Sequence, residues 1–136
     1  MACKQKDQLS RQQMRDLDIE IAFLEGLDRR DPKDAEILQL LADDYTNRGR
    51  FADSLGIDLR LAKISPSDPL SFYNLACSYT LNGMPEAAFS ALNRALDLGY
   101  RDFRHLSRDP DLATLRKHPL YRRIRARIRS MKITVL

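Results

Sequence analysis

No run of apolar residues in this chain approaches the roughly 18 that a membrane-crossing helix requires. The first 13 residues are polar and lack the apolar middle region of a secretory leader. Cysteine is scarce. Cys3 and Cys77 have no metal-type spacing, and Cys3 follows no apolar stretch that would suit lipid attachment. The expectation is two free thiols in a reducing compartment, with the cytoplasm as the default location. His105 and His118 are too few and too loosely placed for a histidine-based metal site. Acidic residues vanish after Asp111: all 19 lie at or before it, with 15 of the 23 Lys and Arg, so this body carries −4 and the last 25 residues +8.

Equally missing is any constellation for catalysis. There is no glycine loop to cradle a phosphate and no nucleophile with a neighbouring base. Asp43 and Asp44 are adjacent, so on a helix they point to different faces and cannot work as a pair. No enzyme activity, metal or cofactor is expected. At 43% hydrophobic and 31% charged residues the chain has a globular balance rather than a disordered one.

The organising feature is a 34-residue echo. Leu41-Ala42-Asp43-Asp44-Tyr45, closed by Gly49, returns as Leu75-Ala76-Cys77-Ser78-Tyr79, closed by Gly83. At the same shift Pro32 aligns with Pro66 and Asp34 with Asp68. Ile21, Leu55 and Phe89 share a column, as do Leu27, Leu61 and Ala95. Asp34 and Asp68 have the character of helix N-caps, the second followed by proline at the first helical position. Met14, Leu17, Ile21, Leu24 and Leu27 make one apolar stripe on a helix. The spacing predicts helices over about 14–31, 35–47, 51–64, 69–81 and 85–98. Residues 1–13 are read as a flexible N-terminus, 14–31 as an orphan helix, and 35–68 and 69–102 as two helix-pair repeats.

These residues resemble the tetratricopeptide repeat, whose signature runs W-x-x-L-G-x-x-Y, A-x-x-x-F, P. The second copy answers with Phe72, Leu75, Ala76, Tyr79, Ala88, Leu92 and Tyr100, the first with Leu38, Leu41, Ala42, Tyr45, Ser54, Asp58 and Pro66. Asp58 departs from the pattern, sitting in the column of Leu24 and Leu92. A buried unpaired carboxylate is costly. The favoured expectation is therefore a small helix rotation that turns Leu59 inward and Asp58 to solvent. The alternative is an ion pair with Arg94.

The tail resembles the end-of-array element of many bacterial tetratricopeptide proteins. Gly99-Tyr100, Asp109-Pro110-Asp111-Leu112, Leu115-Arg116 and Pro119 carry the likeness, which with the repeats covers about residues 18–125. Residues 103–136 are read as capping helices with a basic C-terminal tail: short helices near 102–107 and 110–117, then one from 119 to about 131. Leu120, Ile124, Ile128 and Met131 form the apolar stripe of that last helix. Two repeats cannot cover their own faces, so the tail has a structural task.

The resemblance implies an all-α, right-handed α-α solenoid of helix pairs, with first helices lining a concave groove for a peptide or partner helix. By that implication the groove residues are Glu36, Gln39, Asp43, Thr46, Asn47, Leu70, Tyr73, Asn74, Cys77 and Leu81. They lack the cations of the family's carboxylate-gripping clamp and suit a basic or amphipathic segment better. The function expected is a protein–protein interaction scaffold, with self-association open. One alternative is an electrostatic anchor in which Arg122, Arg123, Arg125 and Arg129 hold anionic lipid or nucleic acid. Nucleic acid is disfavoured, since no aromatics interleave the arginines after Tyr121. A further alternative is a chaperone for secretion-system subunits, to which the basic tail lends no support.

Overall fold

Two aspartates set the frame of the fold. Asp34 accepts hydrogen bonds from the backbone N–H of Glu36 and Ile37 at 3.0 and 3.1 Å, and Asp68 accepts one from Leu70 at 3.0 Å. Each satisfies N–H groups that the first turn of a helix leaves unpaired. The corresponding C-terminal signal repeats as well. Gly49 and Gly83 are left-handed, with φ of 85° and 71°. The next residue folds its N–H back onto a carbonyl of the last turn, Arg50 to Tyr45 at 2.8 Å and Met84 to Tyr79 at 2.9 Å. This is the Schellman closure that glycine permits without steric penalty.

The computed structural model describes residues 8–135 as an all-α molecule. Eight helices follow in order among these residues: α1 (Arg11–Arg30), α2 (Ala35–Arg48), α3 (Phe51–Ile64), α4 (Pro69–Leu81), α5 (Pro85–Asp97), α6 (Phe103–Arg108), α7 (Ala113–Arg116) and α8 (Tyr121–Val135). A 3-10 turn, Pro110–Leu112, leads into α7. Helices α1 to α5 pack each against the next in sequential antiparallel pairs.

Helix α1 starts earlier than its apolar stripe suggests. Ser10 and Gln13 form a reciprocal capping box, with Gln13 N–H donating to Ser10 Oγ at 3.0 Å and Ser10 N–H to Gln13 Oε1 at 2.8 Å. Residues 11–13 are therefore helical and not part of a flexible arm. Residues 1–7 of the expected arm lie outside the described residues.

Burial divides into two clusters. Ile21 and Leu24 of α1 meet Leu38, Leu41, Ala42 and Tyr45 of α2 and Ile57 and Leu61 of α3. The larger cluster joins α4 and α5 to the tail, where Leu106, Leu112, Leu115, Tyr121 and Ile124 pack over Tyr73, Leu92, Leu96 and Tyr100. Fully buried Ala76, Ala88 and Ala95 let α4 and α5 approach closely. The expected helix over 110–117 is split into the 3-10 turn and α7, and the last helix begins at Tyr121 after a turn at 118–120. Its stripe faces inward as expected, with Ile124 fully buried and Ile128 and Met131 packed at the edge.

Candidate functional site

A groove of about 390 Å³ opens between α2 and α4 and is closed at one end by the tail. From α2 come Gln39, Asp43, Thr46 and Asn47, and from α4 Asn74, Cys77, Ser78 and Leu81. Positions four apart on one helix share a face, which is why Gln39 and Asp43, or Asn74 and Ser78, project together. Ser54 and Asp58 of α3 form the floor, and His105, Asp109 and Asp111 the closed end. A polar chain crosses the groove: Asn74 Nδ2 donates to Gln39 Oε1 at 3.4 Å, and Gln39 Nε2 donates to Asp43 Oδ1 at 3.1 Å.

Seven of the ten residues expected in the groove line it: Gln39, Asp43, Thr46, Asn47, Asn74, Cys77 and Leu81. Glu36 and Leu70 are exposed outside it, Leu70 with 55% of its surface accessible. Tyr73 is only 3% exposed. Its hydroxyl donates to Asp109 Oδ2 at 2.7 Å and its ring stacks on Tyr100, centroid to centroid 4.4 Å. The tail folds across this part of α4, so Tyr73 is a joint between array and tail and not a contact for a visitor.

Asp58 overturns both expectations about it. The helix is not rotated: Asp58 is 4% exposed and Leu59 38%. Arg94 lies over the Phe72 ring instead, 5.8 Å from its centroid. Asp58 is held by Ser78, whose hydroxyl donates to Asp58 Oδ2. Ser54, Ile57 and Leu61 keep that face of α3 inward, and the small Ser78 leaves room for a carboxyl group. The other oxygen, Oδ1, has no hydrogen-bond partner among the described residues. Burial, with the charge of Asp43 adding to it, pushes the Asp58 carboxyl up to about 6. Desolvation also raises Asp43.

Asp109 is the most heavily used acceptor at the site. Besides Tyr73 it takes the Cys77 thiol at 3.6 Å and, through Oδ1, the Asp111 N–H at 3.0 Å. His105 Nε2 stands 3.2 Å from its carboxylate. Burial beside that carboxylate pushes the Cys77 thiol well above its ordinary value, so it stays protonated. The groove thus gathers four carboxyl groups, Asp43, Asp58, Asp109 and Asp111, and among the described residues no Lys or Arg lines it. Such an arrangement can take up a cation and repels an anion. Asp109 and Asp111 were visible in the sequence as part of the tail motif, while their place in the groove depends on how the tail folds back.

The four arginines expected to form one patch diverge. Arg123 stacks over Phe89 of α5, 5.0 Å from the ring centroid, and Arg122 is exposed. Arg125 and Arg129 border a second cleft, between α6 and α8. Among the described residues no helix is long and apolar enough to cross a membrane.

No family model matches the chain. Over 69 residues, 50% of this chain, the sequence is 42% identical to a curated protein of Arabidopsis thaliana whose name describes it as chloroplastic. The chain spans 19% of the length of that relative. The relative's name places it in the chloroplast, in contrast to the cytoplasmic default read from this chain's composition.

Proposed function

We propose that the chain is a protein-interaction module, a right-handed solenoid of tetratricopeptide-type helix pairs that holds a basic segment of a partner protein in the α2–α4 groove. One observation carries this reading: four carboxyl groups converge on a groove of about 390 Å³ without a lining Lys or Arg among the described residues. A Lys or Arg side chain entering it supplies the counter-charge that Asp43 and Asp58 lack, and charge-assisted hydrogen bonds to carboxylates are the stronger kind. The Gln39–Asn74 bridge offers further polar contacts to a bound backbone. The partial likeness to the Arabidopsis protein, confined to half of this chain, is compatible with a shared helical module. The Cys77 thiol, buried beside Asp109 and raised by it, gives the groove a weak donor and not a nucleophile.

The reading is tested by titrating the labelled full chain with Lys/Arg-rich and Glu-rich peptides of equal length and following backbone amide resonances. The basic peptide should shift Gln39, Asp43, Asn74 and Leu81, and the acidic one should not. Asp43→Lys should weaken binding at least tenfold. Affinity should rise between pH 5 and 7, because Asp58 must lose its proton to meet a cation and does so near 6. Shifts confined to other surfaces, or an undiminished affinity of Asp43→Lys, would refute the groove assignment.

A further inference from the structure

A second site, independent of the groove reading, is built where the tail turns back on itself. The cleft between α6 and α8 has a volume of about 540 Å³, within the range of small-molecule sites. Six cationic side chains from three helices border it: Arg104 and Arg108 of α6, Arg116 of α7, and Arg125, Arg129 and Lys132 of α8. No carboxylate lines it among the described residues. Phe103, Leu106, Tyr121 and Ile128 give it an apolar floor.

Four arginines outside the cleft are neutralised by carboxylates. Arg48 pairs with Asp18 at 2.8 Å, Arg50 with Asp53 at 2.8 Å, Arg60 with Asp28 at 2.7 Å and Arg127 with Asp97 at 2.5 Å. Among the described residues none of the six in the cleft forms an ion pair. Three of them are nonetheless held in place. Arg116 Nη1 donates to the Leu106 carbonyl at 3.0 Å, Arg125 lies over the Tyr121 ring at 4.9 Å, and Lys132 over Phe103 at 5.7 Å. Like charges fixed side by side raise the energy of the empty cleft, and a bound anion relieves it.

We infer that the α6–α8 cleft binds a polyvalent phosphate-bearing anion, recognised by the guanidinium groups of Arg104, Arg108, Arg116, Arg125 and Arg129 and the Lys132 ammonium. The chemistry selects phosphate over carboxylate on charge density. A planar guanidinium meets phosphate oxygens two at a time. Each phosphate also brings up to two charges, so two or three groups match the cleft. Acidic side chains bring one charge each, so a carboxylate ligand must order more groups to match the same cations.

The source of the phosphate is either a free polyphosphate-type molecule or a lipid headgroup, and two titrations of the full chain separate them. One uses inorganic tripolyphosphate, the other phosphatidylcholine vesicles doped with a phosphatidylinositol phosphate. Hexaglutamate serves as the carboxylate competitor. Calorimetry should show saturable binding to tripolyphosphate, to the vesicles, or to both, with hexaglutamate at least tenfold weaker. Vesicle binding alone assigns the headgroup as the source. Arg104→Gln with Arg129→Gln, exposed positions whose replacement spares the core, should weaken binding at least tenfold. Arg30→Gln with Lys33→Gln, at the far end of the molecule, should not change it. Binding to neither phosphate probe, equal binding of hexaglutamate, or an unaffected cleft variant would each overturn the inference.

Discussion

At the scale of single residues, the carboxyl groups buried between helices are where this chain departs most from an ordinary helical core. Asp44 faces Glu20 across the α1–α2 seam, and desolvation reinforced by that neighbour pushes it up to about 7. Asp58 lies deeper, at about 6 against an ordinary 3.8. A folded-state value above the unfolded one means that the native protein holds this proton more tightly. The stabilisation is fully present below about pH 4 and is lost as pH rises through 6. The gap corresponds to about 3 kcal/mol. Asp58→Asn keeps the shape and an acceptor for Ser78 but carries no charge to desolvate. It should be more stable than the parent by about 1–3 kcal/mol at pH 8 and nearly equal to it at pH 3. Urea unfolding at the two pH values measures this, and a difference independent of pH would show that Asp58 is not the titrating group.

Among the helices, the parts that could be read from the sequence are those decided within a few residues. Asp34, Asp68, Gly49 and Gly83 act on backbone groups in their own turn, so their identity and offset sufficed to place four helix ends. The Ser10–Gln13 capping box is equally local, and weighing it against the missing apolar stripe would have placed the start of α1 correctly. Tyr73 and Asp58 were not legible in this way. Their partners, Asp109 and Ser78, lie 36 and 20 residues away, and only the packed tail and the α3–α4 seam bring them together. The same dependence explains why seven groove residues emerged from the repeat register while the acidic end of the groove did not. It also isolates the tail joint as an experiment. Tyr73→Phe removes one donor from the buried Asp109 carboxylate and should cost about 1–3 kcal/mol. Amide hydrogen exchange should accelerate first in α6 and α8, leaving α1–α3 protected. A uniform loss of protection along the chain would mean that the tail and the array open as one unit.

Taken whole, the described residues are helices packed in sequential antiparallel pairs, with the tail covering the α4–α5 pair. Helix α5 presents Leu92, Ala95 and Leu96 to the tail side, and α4 adds Tyr73. In a longer array another helix pair would cover such a face, since a repeat cannot bury its apolar surfaces alone. Here Leu106, Leu112, Leu115, Tyr121 and Ile124 do so from α6, the 3-10 turn, α7 and α8. Burying five such side chains is worth on the order of 1.5–3 kcal/mol each. That sum is comparable with the whole stability of a typical domain, about 5–15 kcal/mol. A chain ending at Arg101 should therefore fail to unfold cooperatively and should bind a hydrophobic dye at neutral pH, even though every helix of the two repeats is still encoded. The full chain should give a single sigmoidal transition by both far-UV and near-UV circular dichroism. If the shortened chain kept a sharp transition of similar midpoint, the tail would be free for binding alone. The expected collapse instead ties the cationic α6–α8 cleft to the same segment that completes the core, so that its arginines are carried on structure the fold cannot do without.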